Sequence, residues 1–590
     1  MKIQLPTLGE AAAAAGLTFA RFPFVMLAAL VTALAGMLEI SDVGPDQLRS
    51  RLMAAASLGL PLLTAVALFC ERRRADATSR SALTLAATLV LAAFYFAWPE
   101  WSEQLRFDHY AQLSLAFHLA VAFVPLLGSP GEHAFWNYNL ALFRRFLAAA
   151  AFSATLFLGL VLALAAMNPL FGLEIEGEGY GRLWMAIAFG FNTAFFLGGV
   201  PRDLDALSER QEFPNDLRVF AQYALVPLVS IYLVILSFYL GKVLVTWNWP
   251  SGWTGWLVSG VAAAGTLALL LVYPIADDPA QKWIAAFARS FWIAVLPFIV
   301  MLWMALYQRV QQYGLTEHRY FAFVLSLWLA ALAVFYVITR SRTIRLIPAS
   351  LCAVSLLSFA GPWSAYSMAR SSQMERLEEA MREAGMLADA GSPVRATGPV
   401  QAETRKRMHG SMSYLMAVHG RAALEPLLGD SLLSRHRVAG HPPQWQANQV
   451  TDSILVALGA PDTERPAGPR DVFAFTPPIN VAEFEWLVPL EDRARLQGSA
   501  DAPPHAGLVA DSSLVEVRRG SRLIARIRLD SLLARLDTMP LRARNISVPD
   551  SLMTVSTPNV VLRLSNLRWE TRAGRPRLRA ARGWVLVRSR

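Results

Sequence analysis

Lysine is almost missing from this chain: Lys2, Lys242, Lys282 and Lys406 are the only four in 590 residues, so arginine carries nearly all of the formal net charge of +10. That skew reflects a GC-rich bacterial coding sequence rather than a phosphate-binding design. The basic residues alternate with acids and no reader motif accompanies them, so nucleic acid is not an expected partner. Cysteine is equally scarce. Cys70 and Cys352 both sit in apolar runs, which argues against a disulfide framework, a thiolate metal site or a cysteine nucleophile. Charged residues make up only 17% of the chain, against about 25% in ordinary globular domains. With 55% hydrophobic residues and a mean hydropathy of +0.37, a soluble protein is excluded. Catalytic signatures are lacking too. There is no Gly-x-Ser-x-Gly elbow and no phosphate loop, and His409, His419, His436, His441 and His505 are scattered without metal-ligand spacing beside an acid. No catalytic residue, metal or cofactor is implied.

What is present is a succession of eleven apolar runs within roughly the first 365 residues, each long enough to cross a hydrocarbon core of about 30 Å. They cover 22–38, 52–70, 81–97, 110–127, 146–167, 182–200, 219–242, 254–275, 288–307, 320–339 and 345–364. Backbone polar groups find no water in a bilayer, so every run is expected to be helical. The stretch from Leu8 to Ala20 reads as a short interfacial helix, and no small-residue cleavage site follows the first run. The expected fold is therefore a polytopic α-helical membrane bundle of about eleven spans over 1–366, followed over 367–590 by a small soluble α+β domain with an antiparallel sheet.

Loop arginines orient the spans. The second loop carries Arg72, Arg73, Arg74 and Arg80, the fourth Arg144 and Arg145, and the tenth Arg340, Arg342 and Arg345. Odd loops read acidic, with Glu39, Asp42 and Asp46 in the first, Glu100, Glu103 and Asp108 in the third, and Glu174, Glu176 and Glu178 in the fifth. Trp98 and Trp101 flank the third loop, and Trp247, Trp249, Trp253 and Trp256 crowd the seventh, as interfacial tryptophans do. The N-terminus is then cytoplasmic and, with eleven spans, the tail is periplasmic, anchored in a bacterial inner membrane. One span more or fewer would reverse the tail.

Ionisable residues at membrane depth are functional candidates by default. His118 is the clear one: either a proton relay or, more simply, a packing histidine bonded to a neighbouring carbonyl. Asn192 either lines a path or bonds across helices. In the seventh span Ser230 and Ser237, and likewise Tyr232 and Tyr239, lie seven apart and fall near one helix face beside Pro227. That face either borders a cavity or packs. No internal repeat of the transporter kind is found.

The densest polar cluster of the membrane half is RVQQYGLTEHRY at 309–320, with Arg309, Tyr313, Thr316, Glu317, His318 and Arg319. It lies on the outer side, against the positive-inside trend, and Glu317 is expected to pair with Arg309 or Arg319 across a turn at Gly314. The segment YGLTEHRY, together with FLGGVPRDL at 196–204, the run from Val219 to Trp253 and SFAGPWSAYSMARSSQMERL at 358–377, resembles the bacterial membrane family catalogued as domain of unknown function 4153. The likeness covers most of residues 140–380; the first 130 match in hydropathy alone. It implies a bacterial inner-membrane protein and carries no activity, substrate or catalytic residue with it.

After residue 370 the pattern changes. SSQMERLEEAMREAGML opens with serines suited to N-capping and places Met374, Leu377, Met381, Ala384 and Leu387 on one helical face. Further helices are expected over 400–418, stopped by Gly420, and 448–458, stopped by Gly459. From Asp471 the period moves toward two, in VFAFT, FEWLVPL, SLVEVRRGSRLIARIRL, VVLRLSNLRWE and RPRLRAARGWVLVRS, with a hairpin turn at Arg519-Gly520. Arg522, Arg526 and Arg528 fall on the polar side of that alternation: a solvated face, or a basic one for anionic headgroups. The expected role is a membrane-anchored extracytoplasmic module that binds an envelope protein or anionic lipid. A transporter or lipid-handling permease and an envelope enzyme acting on a lipid-linked substrate are the alternatives.

Overall fold

The computed structural model describes the chain apart from residues 1–7, 43–45, 129–130, 172–175, 204–206, 208–212, 248–252, 277, 279–280, 389–390, 437, 439, 462–469, 475–483, 492–502, 510–512, 539–544, 549, 573–574 and 589–590. Glu174 and Trp249 therefore lie outside the described residues, and the strand expected at VFAFT is described only as far as Ala474.

Among the described residues the apolar half forms a series of helices: α1 (Leu8–Arg21), α2 (Pro23–Ile40), α3 (Asp46–Arg72), α4 (Ala77–Ala97), α5 (Glu103–Phe123) and α6 (Glu132–Phe171). Then α7 (Gly177–Met185) runs through a π turn, Ala186–Phe191, into α8 (Asn192–Gly198), and α9 (Asn215–Phe220) through another, Ala221–Leu225, into α10 (Val226–Thr246). Next come α11 (Trp253–Val272), α12 (Lys282–Tyr313), α13 (Glu317–Thr339) and α14 (Leu346–Leu357). Among the described residues, nine helical stretches are long and apolar enough to cross a membrane: Pro23–Ile40, Gln47–Arg72, Ala77–Ala97, Glu103–Leu126, Glu132–Met167, Leu217–Thr246, Leu257–Ile275, Lys282–Tyr313 and Glu317–Thr339. Eleven were expected. The sixth run is helical from Gly177 to Gly198 through its π turn but, with Arg182 and Asn192 in it, is not among the nine. The eleventh shortens to the 12 residues of α14, about 18 Å of helix, because Phe359–Ser364 turns out of helical geometry around Gly361 (φ +95°).

The fourth loop also differs from expectation. Arg144 and Arg145 lie inside α6, since no proline interrupts the helix before Pro169. Arg145 donates to the Phe195 carbonyl at 2.9 Å and sits 4.1 Å over the Phe195 ring. Its long stem lets the charge reach a carbonyl while the helix continues.

The chain divides into two compact units, the first comprising Met1–Leu377, Gly410–Pro426 and Ala439–Pro442, the second Glu378–His409, Leu427–Val438 and Pro443–Arg590. A single cut at 366 was expected. The first helices after the apolar half are α15 (Ala365–Glu383), α16 (Ala402–Tyr414) with a π turn over Leu415–His419, α17 (Arg421–Leu428), α18 (Asp430–Arg435) and α19 (Gln444–Ala457). Gly420 (φ +75°) and Gly459 (φ +87°) end two of these where sequence placed the stops, because only glycine enters that conformation freely. The serines at 371 and 372 are not caps, since α15 starts earlier, at Ala365, behind Ser364 whose hydroxyl accepts from Ser367 N.

Among the described residues of the second unit nine strands follow: β1 (Arg470–Ala474), β2 (Phe484–Glu491), β3 (His505–Leu508), β4 (Leu514–Arg519), β5 (Arg522–Arg528), then α20 (Asp530–Thr538), β6 (Asn545–Val548), β7 (Thr554–Ser556), β8 (Val560–Arg572) and β9 (Arg575–Arg588). Their order is β5-β4-β3-β2-β9-β8-β1-β6, with β7 beside β8. Two pairings, β1 with β6 and β2 with β3, are parallel, so the sheet is antiparallel-rich rather than wholly antiparallel. Leu529, Leu533 and Leu536 from α20 and its approach pack with Val515, Val517, Leu562, Leu564 and the fully buried Trp569 into one core. The β4–β5 hairpin turns at Gly520 (φ +56°) and Ser521. On it, Glu516 is buried between Arg518 and Arg526, each at 2.8 Å, so Arg526 is neutralised rather than free on a basic face. The bond from Arg518, and secondarily that from Arg526, holds the Glu516 carboxyl below its ordinary range.

β8 and β9 cross at a bulge next to Gly583, where an added Cβ would meet the Arg563 carbonyl oxygen at 2.1 Å and the Leu564 Cα at 2.8 Å. Gly583→Ala is therefore expected to force the two strands apart at a cost of about 1–3 kcal/mol. Thermal melting and limited proteolysis of the detergent-solubilised full-length protein check this; unchanged resistance of the sheet would rule it out.

Candidate functional site

The segment 309–320 joins α12 to α13, and its geometry follows from what a helix end requires. The last carbonyls of α12 have no partner within the helix. Here they are met by side chains from α15: Gln373 Nε2 donates to the carbonyls of Tyr313 (2.9 Å) and Leu315 (3.0 Å), and Arg376 donates to those of Gln311 (3.1 Å) and Gln312. Arg319 folds back onto the Gly314 and Tyr313 carbonyls, and Ser372 Oγ accepts from Leu315 N at 3.1 Å. Two arginines at a helix C-terminus also suit its negative dipole end. Gly314 is required twice, for φ +73° and because a Cβ would meet Gln373 Nε2 at 2.4 Å. Arg309 and Arg319 each lie over the Tyr313 ring, at 5.8 and 5.5 Å.

Glu317, the first residue of α13, has no exposed surface. Its expected partners were Arg309 or Arg319. Instead, the Tyr414 hydroxyl donates to its Oε2 and His419 Nε2 lies 3.1 Å from its Oε1. Arg319 is occupied by the α12 carbonyls, which leaves the carboxylate to the α16 side of the turn. Tyr414 and His419 are five residues apart, which on an α-helix would set them about 140° apart. The π turn Leu415–His419 adds a residue to that turn and brings both onto one face, with their rings 5.7 Å apart. Burial first, and then the Glu317 charge, push the Tyr414 phenol above its ordinary range, which keeps it a proton donor to the carboxylate.

Aromatic and polar groups of α5 and α15 complete the surroundings. His109 is sandwiched between Trp101 (centroids 4.1 Å) and Tyr366 (3.8 Å), and its Nδ1 is 2.6 Å from the Leu105 carbonyl, which makes Nδ1 the donor. Tyr366 donates to Gln112 Oε1 at 2.9 Å, and Gln112 Nε2 donates to the Ser355 carbonyl at 2.7 Å. Gln373 Oε1 accepts from Ser411 Oγ at 2.8 Å. The phenol of Tyr366 is raised by burial and by the charges of Asp108 and Glu317.

Of the sequence candidates, this site contains Glu317, Arg319 and Tyr313, while Arg309 contributes through the Tyr313 ring. Thr316 precedes α13 without a side-chain capping bond, and His318 is exposed. The intramembrane candidates do not join the site. His118 is exposed on α5 and bonds the Ser114 carbonyl of its own helix at 2.7 Å, so it neither packs between helices nor meets another element. Asn192 Oδ1 accepts from Ser153 Oγ of α6 at 3.2 Å. Ser230 and Ser237 turn back onto the carbonyls of Val226 and Leu233, Tyr232 is exposed, and Tyr239 packs beside the α10–α12 core. Sequence reading missed Tyr414, His419, Gln373, Tyr366 and His109. His419 counted among scattered histidines, and nothing local distinguishes it, since its role depends on the π turn.

A bundle of apolar helices that closes its buried polar groups at one end, followed by a sheet unit, defines a polytopic α-helical membrane protein with a C-terminal sheet-bearing segment. The chain belongs to the family described as Domain of unknown function (DUF4153), whose model matches residues 23–391, further toward both ends than the motifs alone reach. It is 24% identical over 301 residues to Uncharacterized protein PM1469 of Pasteurella multocida (strain Pm70), an alignment covering 51% of this chain and 50% of that protein. The chain thus spans about half the length of the curated relative it matches. No solved structure matches it.

Removing a partner of a buried charge leaves that charge uncompensated, typically at about 3–5 kcal/mol. Tyr414→Phe, which leaves the Glu317 carboxylate without its hydroxyl donor, is expected to lower the melting temperature and raise hydrogen exchange over 410–419 in the full-length protein, and Glu317→Gln, which removes the charge itself, to do so less. Wild-type exchange in both variants would show that the carboxylate does not hold this segment.

Proposed function

We propose that the protein is a bacterial inner-membrane anchor that crosses the bilayer eleven times, keeps its N-terminus in the cytoplasm and presents its sheet unit to the periplasm, where that unit binds an envelope partner. The observation that carries the reading is the course of α14. Arg345, just before it, pairs with Glu132 at 2.6 Å, at the end of the bundle where α6 starts. Cys352 then bonds the Ala116 carbonyl, Ser355 the Gln112 carbonyl, and Phe359 reaches His109 near the start of α5. The segment thus runs antiparallel to α5 and accompanies it from one end to the other, although only 12 of its residues are helical.

The loop contacts sort by the same ends. Arg72 and Arg73 donate to the carbonyls of Pro125 and Leu127, beside the Arg345–Glu132 pair. The opposite end holds Trp101, Tyr366, Glu317 and His419, together with Arg309, Arg319 and Arg376 at the α12–α13 turn. The arginines of the second and tenth loops support reading their end as the cytoplasmic one. The binding role of the sheet unit is supported by Leu487 and Trp584, large apolar side chains left exposed on the adjacent strands β2 and β9.

Reporter fusions after Arg74, at Gly314 and at the C-terminus test the topology: the first is expected to read cytoplasmic and the other two periplasmic, and a cytoplasmic C-terminus would overturn it. Photo-crosslinkers at Leu487 and Trp584 of the full-length protein in cells are expected to trap a common envelope component. Capture no greater than from an exposed position on α6, such as Leu162, would count against the binding role.

A further inference from the structure

We propose that a cleft between α2, α3 and α4 is a binding site for the phosphate headgroup of an anionic phospholipid, with the acyl chains lying along the exposed face of α4. This inference is independent of the side on which the sheet unit lies. A cavity of about 290 Å³ is walled on its apolar side by Phe22, Phe24, Val25 and Leu63 and on its polar side by Arg21, Glu71 and Arg80. A second, of about 190 Å³, shares Arg21 and Glu71 with it and adds Arg72, Arg74, Arg202 and Asp203. Together they set five arginines against two carboxylates.

The arginines do not play equal parts. Arg21 is spent on structure: it bonds both Glu71 oxygens, at 3.2 and 3.1 Å, and donates to the carbonyls of Val200 and Pro201 at 2.7 and 2.9 Å. That arrangement neutralises Glu71 and fixes the wall. Arg80, on the first turns of α4, makes no ion pair among the described residues and is exposed. The N-terminus of α4 is already capped by Asp76, which accepts from Thr78 N and Ser79 N, so an anion here is held by guanidinium groups rather than by the helix end. Guanidinium groups suit phosphate oxygens because they offer paired donors at fixed geometry.

The apolar wall decides between a free ion and a lipid. A soluble anion has no use for Phe22, Phe24 and Leu63, whereas a phospholipid brings both parts at once. Leu83, about 60° around α4 from Arg80, is exposed, and Leu85 and Leu89 add further exposed apolar surface on the other sides of the same helix toward the middle of the span. The cleft opens where α2 and α4 begin, which is where a headgroup sits relative to its chains.

The test is native mass spectrometry of the full-length protein released from detergent with dioleoyl phosphatidylglycerol, with dioleoyl phosphatidylcholine, or with inorganic phosphate as competitor. Phosphatidylglycerol adducts are expected to persist when phosphatidylcholine adducts are lost, and to resist phosphate. Arg80→Ala, which removes one cation, is expected to cut phosphatidylglycerol occupancy roughly fivefold. Thr84→Trp, which fills the cleft without changing charge, is expected to do the same, with melting temperatures unchanged in both. Equal retention of the two lipids, displacement by inorganic phosphate, or wild-type occupancy in Thr84→Trp would each overturn the proposal, the last by reducing the effect of Arg80 to surface charge.

Discussion

A carboxylate with no exposed surface cannot stand alone at the end of an apolar bundle, and Glu317 sets the arrangement of everything near it. The desolvation of one charge is several kcal/mol, so the group must be met by donors of fixed position. Neither neighbouring arginine serves, because Arg319 is committed to the α12 carbonyls. The partners are Tyr414, whose hydroxyl donates, and His419, whose Nε2 lies 3.1 Å away, about a hundred positions further on, and a π turn is what lets both point the same way. Holding residues 410–419 against α13 in turn explains why part of the polar tail belongs to the first unit.

The same end of the bundle solves a second problem by the same means. The α12–α13 turn leaves carbonyls without partners, and α15 supplies Gln373 and Arg376 to them. The YGLTEHRY segment and the residues from Ser372 to Arg376 are therefore two halves of one interaction. At the opposite end the bonds are of another kind. Arg21, Arg72, Arg73 and Arg345 close onto carbonyls and the carboxylates of Glu71 and Glu132, a basic rim rather than a buried polar centre.

Much of the fold was legible because it rests on short-range physics. Long apolar runs must be helical in a bilayer, a glycine at positive φ ends a helix at Gly420 and Gly459, and alternation with a Gly520 turn makes the β4–β5 hairpin. Where sequence reading went astray, a side chain found a partner that local spacing does not reveal. Arg145 stays inside α6 by reaching Phe195, fifty residues away, and Arg526 turns from a free surface charge into a partner of Glu516. His118, Tyr232 and Ser237, singled out for polarity at membrane depth, are exposed, and His118 and Ser237 bond carbonyls of their own helices.

By itself the sequence determined that this is a helical membrane protein with a sheet-bearing tail and placed Glu317 within its densest polar cluster, because hydropathy, periodicity and the spacing of charges are properties of residues and their near neighbours. Only the tertiary structure decided that the charge is answered by Tyr414 and His419, that Gln373 and Arg376 cap α12, and that the short α14 accompanies α5 from end to end. Those outcomes depend on which distant groups share a buried volume, and burial is a property of the packed chain rather than of any stretch of it.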